Sequence, residues 1–96
     1  MTVNKLLNEK REEILHIAEK HGAYNVRIFG SATRGDFTEE SDIDLLVEVG
    51  EQTSPWFPAG LVDELQRLLG RPVDVVTEDG LYWLLRRKIL KEAKPL

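Results

Sequence analysis

The 96-residue sequence contains no cysteine, which excludes disulfide bonds and thiolate metal sites. It also has no apolar run as long as a membrane-spanning helix, and its first 14 residues lack the apolar stretch of a secretory signal. We therefore expect a soluble, cytoplasmic protein with no membrane partner. The two histidines, His16 and His21, fall in the first predicted helix, so we do not expect metal or acid–base chemistry from them.

An excess of basic residues is lacking as well. The chain has 13 Lys and Arg against 17 Asp and Glu, which gives a net charge of -4. Because a long nucleic-acid strand is normally bound by a basic surface, we do not expect nucleic acid as the main partner. Small phosphates are not excluded, since one local group of donors can hold them. The length and the 42% apolar content indicate one globular domain over residues 1–96.

Apolar spacing predicts alternating helices and strands. Helical periodicity predicts helices over residues 4–21, 58–69 and 80–93. Short apolar runs predict strands over residues 24–29, 42–49 and 71–77, with a helix-like turn after the first strand. The resulting α-β-α-β-α-β-α order favours helices packed on a small sheet.

Two aspartates alternate with apolar residues in the second predicted strand. Asp42 and Asp44 share one face, while Ile43, Leu45 and Val47 face the core. The two backbones lie about 6–7 Å apart, so the carboxylates can converge on one ion. Unpaired carboxylates this close repel each other, and a divalent cation removes that conflict. Alone, an Asp-x-Asp pattern more often marks a strand end or a turn.

A third acid, Asp74, lies inside the apolar run of the third predicted strand. If this strand neighbours the second one, three carboxylates could hold one or two magnesium ions. Two such ions can clamp the attacking and leaving oxygens of an in-line displacement. The alternative is an ion pair of Asp74 with Arg27 or Arg71.

A glycine–serine loop follows the first predicted strand directly. Gly30 permits close backbone approach, and Ser31 can cap a helix or donate its hydroxyl to a phosphate oxygen. Arg34 could add a bidentate phosphate contact. The alternative is an ordinary capped turn with Arg34 exposed, but the acids about eleven residues further on favour the phosphate interpretation.

The stretch GSATRGDFTEESDIDLLV, residues 30–47, resembles the signature of the DNA polymerase beta-like nucleotidyltransferases. The length and the final segment, residues 73–96, resemble the minimal nucleotidyltransferase (MNT) branch of that superfamily. The resemblance implies the nucleotidyltransferase fold, an α+β fold with a small mixed β-sheet and helices packed on one side.

The same resemblance assigns roles to six residues. It implies that the magnesium ligands and catalytic residues are Asp42, Asp44 and Asp74, and that the nucleotide-binding residues are Gly30, Ser31 and Arg34. Asp74 would also help to deprotonate the acceptor hydroxyl.

Members of this branch are commonly encoded beside a HEPN-domain protein. The resemblance therefore implies an antitoxin that uses Mg²⁺ and ATP to transfer AMP to a tyrosine of a HEPN-type toxin. Two alternatives stay open: an antitoxin that neutralises its partner by binding alone, and a transferase for a small hydroxylated molecule.

The short length of the chain indicates that a partner supplies part of the site. Trp56 and Trp83 are either interface or core residues, Phe57 is expected in the core, and exposed aromatics would indicate homo- or hetero-assembly.

Overall fold

The computed structural model describes residues 3–30, 33 and 42–96, and the structural statements below concern these residues. In chain order the elements are helix α1 (Val3–Lys20), strands β1 (Ala23–Phe29) and β2 (Ile43–Val49), helix α2 (Ala59–Leu69), strand β3 (Val73–Thr77), a 3-10 turn η1 (Glu78–Gly80), helix α3 (Trp83–Glu92) and strand β4 (Lys94–Pro95). Apart from Thr33, the predicted turn after β1 lies outside the described residues. Within this part of the chain, none of the helices has the length and apolarity needed to cross a membrane.

The described strands form one mixed sheet in the order β3-β2-β1-β4. Strand β1 is antiparallel to both β2 and β4, whereas β2 and β3 are parallel. Helix α2 supplies the crossover that a parallel pair requires. The α+β fold with a small mixed sheet is therefore confirmed. The sequence did not predict β4, because its two residues are too few to show periodicity; Pro95 is tolerated there because β4 lies at the sheet edge.

Helices α1 and α2 pack on one face of the sheet and bury the predicted core residues. Ile43, Leu45 and Val47 of β2 are at most 1% exposed, as their alternation predicted. Ile14 of α1 and Leu65 of α2 are buried in the same cluster. Fully burying an aliphatic side chain of this size contributes roughly 1.5–3 kcal/mol, so this helix-covered face anchors the strands that carry the acidic residues.

Helix α3 differs from its prediction. It begins at Trp83 because η1 intervenes, where the Thr77 hydroxyl accepts a hydrogen bond from the Gly80 amide at 3.2 Å. No residue of α3 is buried, and Leu85, expected on a packed stripe, is 51% exposed. Helix α3 therefore lies outside the core cluster, and its helical periodicity does not correspond to a buried face.

Of three aromatic residues that the sequence singled out, one packs against the core and two are exposed. Phe57 packs against the core cluster, which confirms the expectation for it. Trp56 is 86% exposed, and Trp83 at the start of α3 is 73% exposed. Neither tryptophan belongs to the core of the described chain.

Candidate active site

The parallel register of β2 and β3 places two of the predicted acids side by side. Asp44 and Asp74 are direct partners across the two strands, a separation of about 4.8 Å between backbones. Asp44 is half-buried and Asp74 is exposed, and both lie opposite the core face. The condition under which Asp74 could join the other acids, that the second and third predicted strands are neighbours, is therefore met.

Asp42 lies just outside β2, which begins one residue later than the sequence predicted. Its side chain is exposed, and it precedes Asp44 by two residues. This spacing keeps the two backbones within about 6–7 Å of each other. All three predicted acids therefore lie at the same end of the β2–β3 pair.

Gly30 brings the end of β1 against this row of acids. Its preceding residue, Phe29, is the register partner of Asp44. Gly30 is buried and has φ 76°, a conformation that side-chain-bearing residues rarely adopt. A Cβ atom here would overlap Oδ2 of Asp44. The close approach of turn and carboxylate therefore requires glycine.

Thr33 closes the turn that Gly30 opens. Its amide donates a hydrogen bond to the Gly30 carbonyl oxygen at 3.0 Å, and its Oγ1 lies 2.8 Å from the same oxygen. Oγ1 also lies 3.2 Å from Oε1 of Glu92 on α3. The sequence did not indicate the contact with Glu92, because residues 59 positions apart share no local pattern. Ser31 and Arg34 lie outside the described residues, so their phosphate-binding roles stay predictions.

A second row of side chains lies about 7 Å further along the acid-bearing face. Arg27 and Leu46 are register partners there, and Leu46 is fully buried. Nη2 of Arg27 donates to Oε2 of Glu78 at 2.8 Å. The alternative in which Arg27 pairs with Asp74 is therefore wrong.

The donor chemistry of this edge suits a hard divalent cation. The carboxylates of Asp44 and Asp74 come from adjacent strands, with Asp42 at the same strand end. Within residues 3–30, 33 and 42–96, no three His, Cys, Asp or Glu side chains are grouped closely enough to hold a metal. The metal role of the three acids stays a prediction.

A separate polar cluster joins α1, α2 and the loop between β2 and α2. His21 is 8% exposed; its Nδ1 lies 2.5 Å from Oγ of Ser54 and its Nε2 lies 3.0 Å from Oε1 of Glu64. Nζ of Lys20 donates to the other oxygen of Glu64 at 2.8 Å. The hydrogen bonds from Lys20 and then His21 lower the pKa of Glu64 below its usual 4.5, against a smaller opposing effect of burial. The sequence analysis missed this cluster.

The paired acids and the glycine turn thus lie together at one end of the strands, and comparison with known proteins identifies the class of this protein. Residues 8–96 match the nucleotidyltransferase domain family. The chain therefore belongs to this family and is a nucleotidyltransferase, as the resemblance of residues 30–47 predicted.

Two relatives support the assignment over nearly their whole length. The chain is 44% identical over 87 residues to a Methanocaldococcus jannaschii protein named “Putative protein adenylyltransferase”, covering 91% of this chain and 94% of that protein. It is 31% identical over 90 residues to “Protein adenylyltransferase MntA” of Thermococcus cleftensis, covering 94% of this chain and 88% of that protein.

Solved structures share the fold. One described as a “putative minimal nucleotidyltransferase” superposes with a TM-score of 0.84 at 44% identity, covering 96% of this chain and 94% of that chain. A toxin–antitoxin structure with AMP-PNP superposes with a TM-score of 0.73 at 22% identity, covering 91% of this chain and 69% of that chain. The second likeness shows the fold alone.

Proposed function

We propose that this protein transfers AMP from ATP, with Mg²⁺, to a hydroxyl group of a partner protein. The observation that carries the proposal is that Gly30, directly after β1, lies against Asp44 of β2, whose partner in β3 is Asp74. The relatives named as protein adenylyltransferases support protein as the acceptor class.

In this proposal the turn at Gly30 binds the nucleotide phosphates, and the acids of the strands bind Mg²⁺. Gly30 allows the nucleotide phosphates to approach the backbone beside Asp44. Asp42, Asp44 and Asp74 would hold Mg²⁺, and their exposed or half-buried side chains can rotate toward one ion. When bound, Mg²⁺ supplies the positive charge that offsets the phosphate oxygens during transfer.

The chemical step is a displacement at the α-phosphorus of ATP. The acceptor hydroxyl oxygen bonds to that phosphorus, and the bond from the phosphorus to the bridging oxygen breaks, so pyrophosphate leaves with the bond electrons. The hydroxyl proton passes to the carboxylate of Asp74, which is exposed and therefore open to an incoming acceptor. Reaction requires the attacking oxygen to be held in line, about 3–3.5 Å from phosphorus.

The surface of α3 fits a protein acceptor. Four consecutive residues at its start are each more than half exposed: Tyr82, Trp83, Leu84 and Leu85. Residues 81–96 carry five of the 13 basic residues and one of the 17 acidic ones. Two copies facing each other through α3 would bring like charges together, whereas a partner with acidic groups around an apolar centre would complement both features.

We propose a HEPN-type toxin as this partner, a tyrosine hydroxyl as the acceptor, and the cytoplasm as the place of reaction. The protein would then act as the antitoxin of a two-component module. A toxin–antitoxin complex of the same fold, solved with an ATP analogue, is compatible with this arrangement.

The test is intact-mass spectrometry of a HEPN-type toxin after incubation with this chain, ATP and Mg²⁺. The wild-type chain is expected to add whole AMP units. Asp44→Asn is expected to slow this addition on the order of a hundredfold or more, because a charged metal ligand is lost. The matched control is Glu48→Gln, which alters another carboxylate of β2 that accepts a hydrogen bond from Asn25 at 2.7 Å, away from the site.

Two outcomes would contradict the proposal. If no nucleotide adds mass to the partner, the transfer activity is wrong for this pair. If Asp44→Asn neutralises the toxin as well as the wild type does, neutralisation comes from contact alone.

A further inference from the structure

Helix α3 is attached to the rest of the molecule by polar contacts at both ends. Near its start, Nη1 of Arg86 donates to the Glu78 carbonyl oxygen at 2.8 Å. In its last turn, Glu92 approaches Thr33 with an oxygen–oxygen distance of 3.2 Å. Ten residues of helix span about 15 Å, so α3 connects the end of β3 with the turn after β1.

The contact with Thr33 joins two acceptors through one hydroxyl group. Thr33 has a single hydroxyl proton, while the Glu92 carboxylate and the Gly30 carbonyl oxygen can only accept. Oγ1 lies 2.8 Å from the Gly30 oxygen and 3.2 Å from the Glu92 oxygen, so the proton is shared between the two. Thr33 is thereby fixed between α3 and the turn, and its amide holds the Gly30 carbonyl from the same side.

The turn passes this restraint on to Asp44. The Gly30 α-carbon lies so close to Asp44 that an added Cβ would overlap Oδ2 and lie 3.3 Å from Cγ. A shift of the turn toward β2 therefore displaces the Asp44 carboxylate, and a shift away opens a gap beside it. The four residues Glu92, Thr33, Gly30 and Asp44 form one continuous line of contacts from the last helix to the acidic row.

We propose that Glu92 is a positioning residue: through Thr33 it holds the Gly30 turn against Asp44 and so preorganises the nucleotide site. This inference rests on the proposed function, because it takes the row at Gly30 and Asp44 as the place where nucleotide binds. Glu92 acts on the site from a distance and does not itself contact the reacting atoms.

The expected consequence is weaker nucleotide binding without loss of the fold. Glu92→Leu and Thr33→Val each remove one side of the contact. Each is expected to weaken the binding of Mg²⁺ and AMP-PNP about tenfold, the effect of losing one hydrogen bond to a charged group. Glu92→Gln retains an acceptor oxygen and Thr33→Ser retains the hydroxyl, so both are expected to bind within about twofold of the wild type.

Isothermal titration calorimetry of the full chain with Mg²⁺ and AMP-PNP measures these affinities, and thermal denaturation checks the fold. The matched control is Lys91→Leu, an exposed residue of the same helical turn. In the double variant Glu92→Leu/Thr33→Val, the loss should equal that of Thr33→Val alone, because Thr33→Val already removes the hydroxyl through which Glu92 acts.

The outcomes separate this inference from the proposed function. If Glu92→Leu binds AMP-PNP as tightly as the wild type, or if the two single losses add in the double variant, Glu92 does not act through Thr33. If Glu92→Gln loses as much affinity as Glu92→Leu, the acceptor oxygen is not the cause. If the wild type itself binds no nucleotide, the proposed function fails, and this inference fails with it.

Discussion

At the scale of single residues, two glycines share a backbone conformation but differ in what surrounds them. Gly30 has φ 76° and Gly70 has φ 69°. A Cβ at Gly70, which ends α2, would meet nothing within 4 Å, whereas a Cβ at Gly30 would overlap the Asp44 carboxylate. The pair therefore separates the cost of the left-handed conformation from the cost of disturbing the site.

Gly70→Ala is expected to lower the free energy of unfolding by about 1–2 kcal/mol, the penalty of a side chain at positive φ, and to leave AMP-PNP binding unchanged. Gly30→Ala is expected to lose more stability than this and to abolish measurable AMP-PNP binding, because Asp44 must move. Denaturant unfolding and calorimetry measure the two quantities. Nucleotide binding by Gly30→Ala at wild-type affinity would show that Asp44 tolerates displacement.

At the scale of elements, a buried histidine joins the two helices that cover the sheet. His21 follows α1, Glu64 lies in α2, and Ser54 lies in the loop between β2 and α2. A carboxylate can only accept, so Nε2 of His21 donates to Glu64, while Nδ1 lies within hydrogen-bond distance of the Ser54 hydroxyl. The Ser54 amide also donates to the His21 carbonyl oxygen at 3.1 Å. The cluster therefore fixes the loop that leads into α2.

The cluster predicts how stability depends on pH. Because hydrogen bonds from Lys20 and His21 lower the pKa of folded Glu64, this carboxyl is protonated more often in the unfolded chain than in the folded chain near pH 4.5. The contribution of Glu64 to stability is thus present above its unfolded pKa and is lost as pH falls through its folded pKa. We expect the free-energy difference between wild type and Glu64→Gln to shrink from pH 6 to pH 3.

Urea unfolding of both proteins across this pH range measures the difference. Lys20→Gln serves as a second variant, since it removes the largest cause of the lowered pKa and should show an intermediate slope. Parallel pH profiles for wild type and Glu64→Gln would show that Glu64 contributes no pH-dependent stability.

At the scale of the whole molecule, charge and apolar exposure are unevenly distributed. The chain as a whole is acidic, yet its last helix is basic and exposes Trp83 and its neighbours. The other exposed tryptophan, Trp56, is 86% exposed and lies in the loop before α2. If the acceptor protein binds through α3, the two tryptophans must differ in their effect on transfer.

Trp83→Ser is expected to weaken binding of the partner protein at least about tenfold, as loss of a central aromatic anchor does, and to leave AMP-PNP binding unchanged. Trp56→Ser, the matched control, is expected to preserve both. Calorimetry with purified partner and with AMP-PNP measures the two affinities. Equal partner binding by Trp83→Ser and wild type would exclude α3 as the docking surface.

The elements that were predicted well are those whose burial decides their sequence pattern. Strand β2 alternates Ile43, Leu45 and Val47 inward because one face must be dry, and the structure buries all three. Helix α3 also shows apolar residues at helical spacing, yet none of its residues is buried. Periodicity indicates that one face of an element is apolar, but it does not indicate whether other elements of the same chain pack on that face.

The sequence by itself determined the family, the core of the sheet and the residue types of the site, because acids flanked by apolar residues and a glycine after a strand are local features. Tertiary structure alone decided that Asp74 lies beside Asp44, that Arg27 binds Glu78, and that Glu92 reaches Thr33. These pairs are separated by 30 residues or more in the chain, and their contact depends on strand order and register. No local periodicity encodes that order, because it follows from the packing of all the elements together.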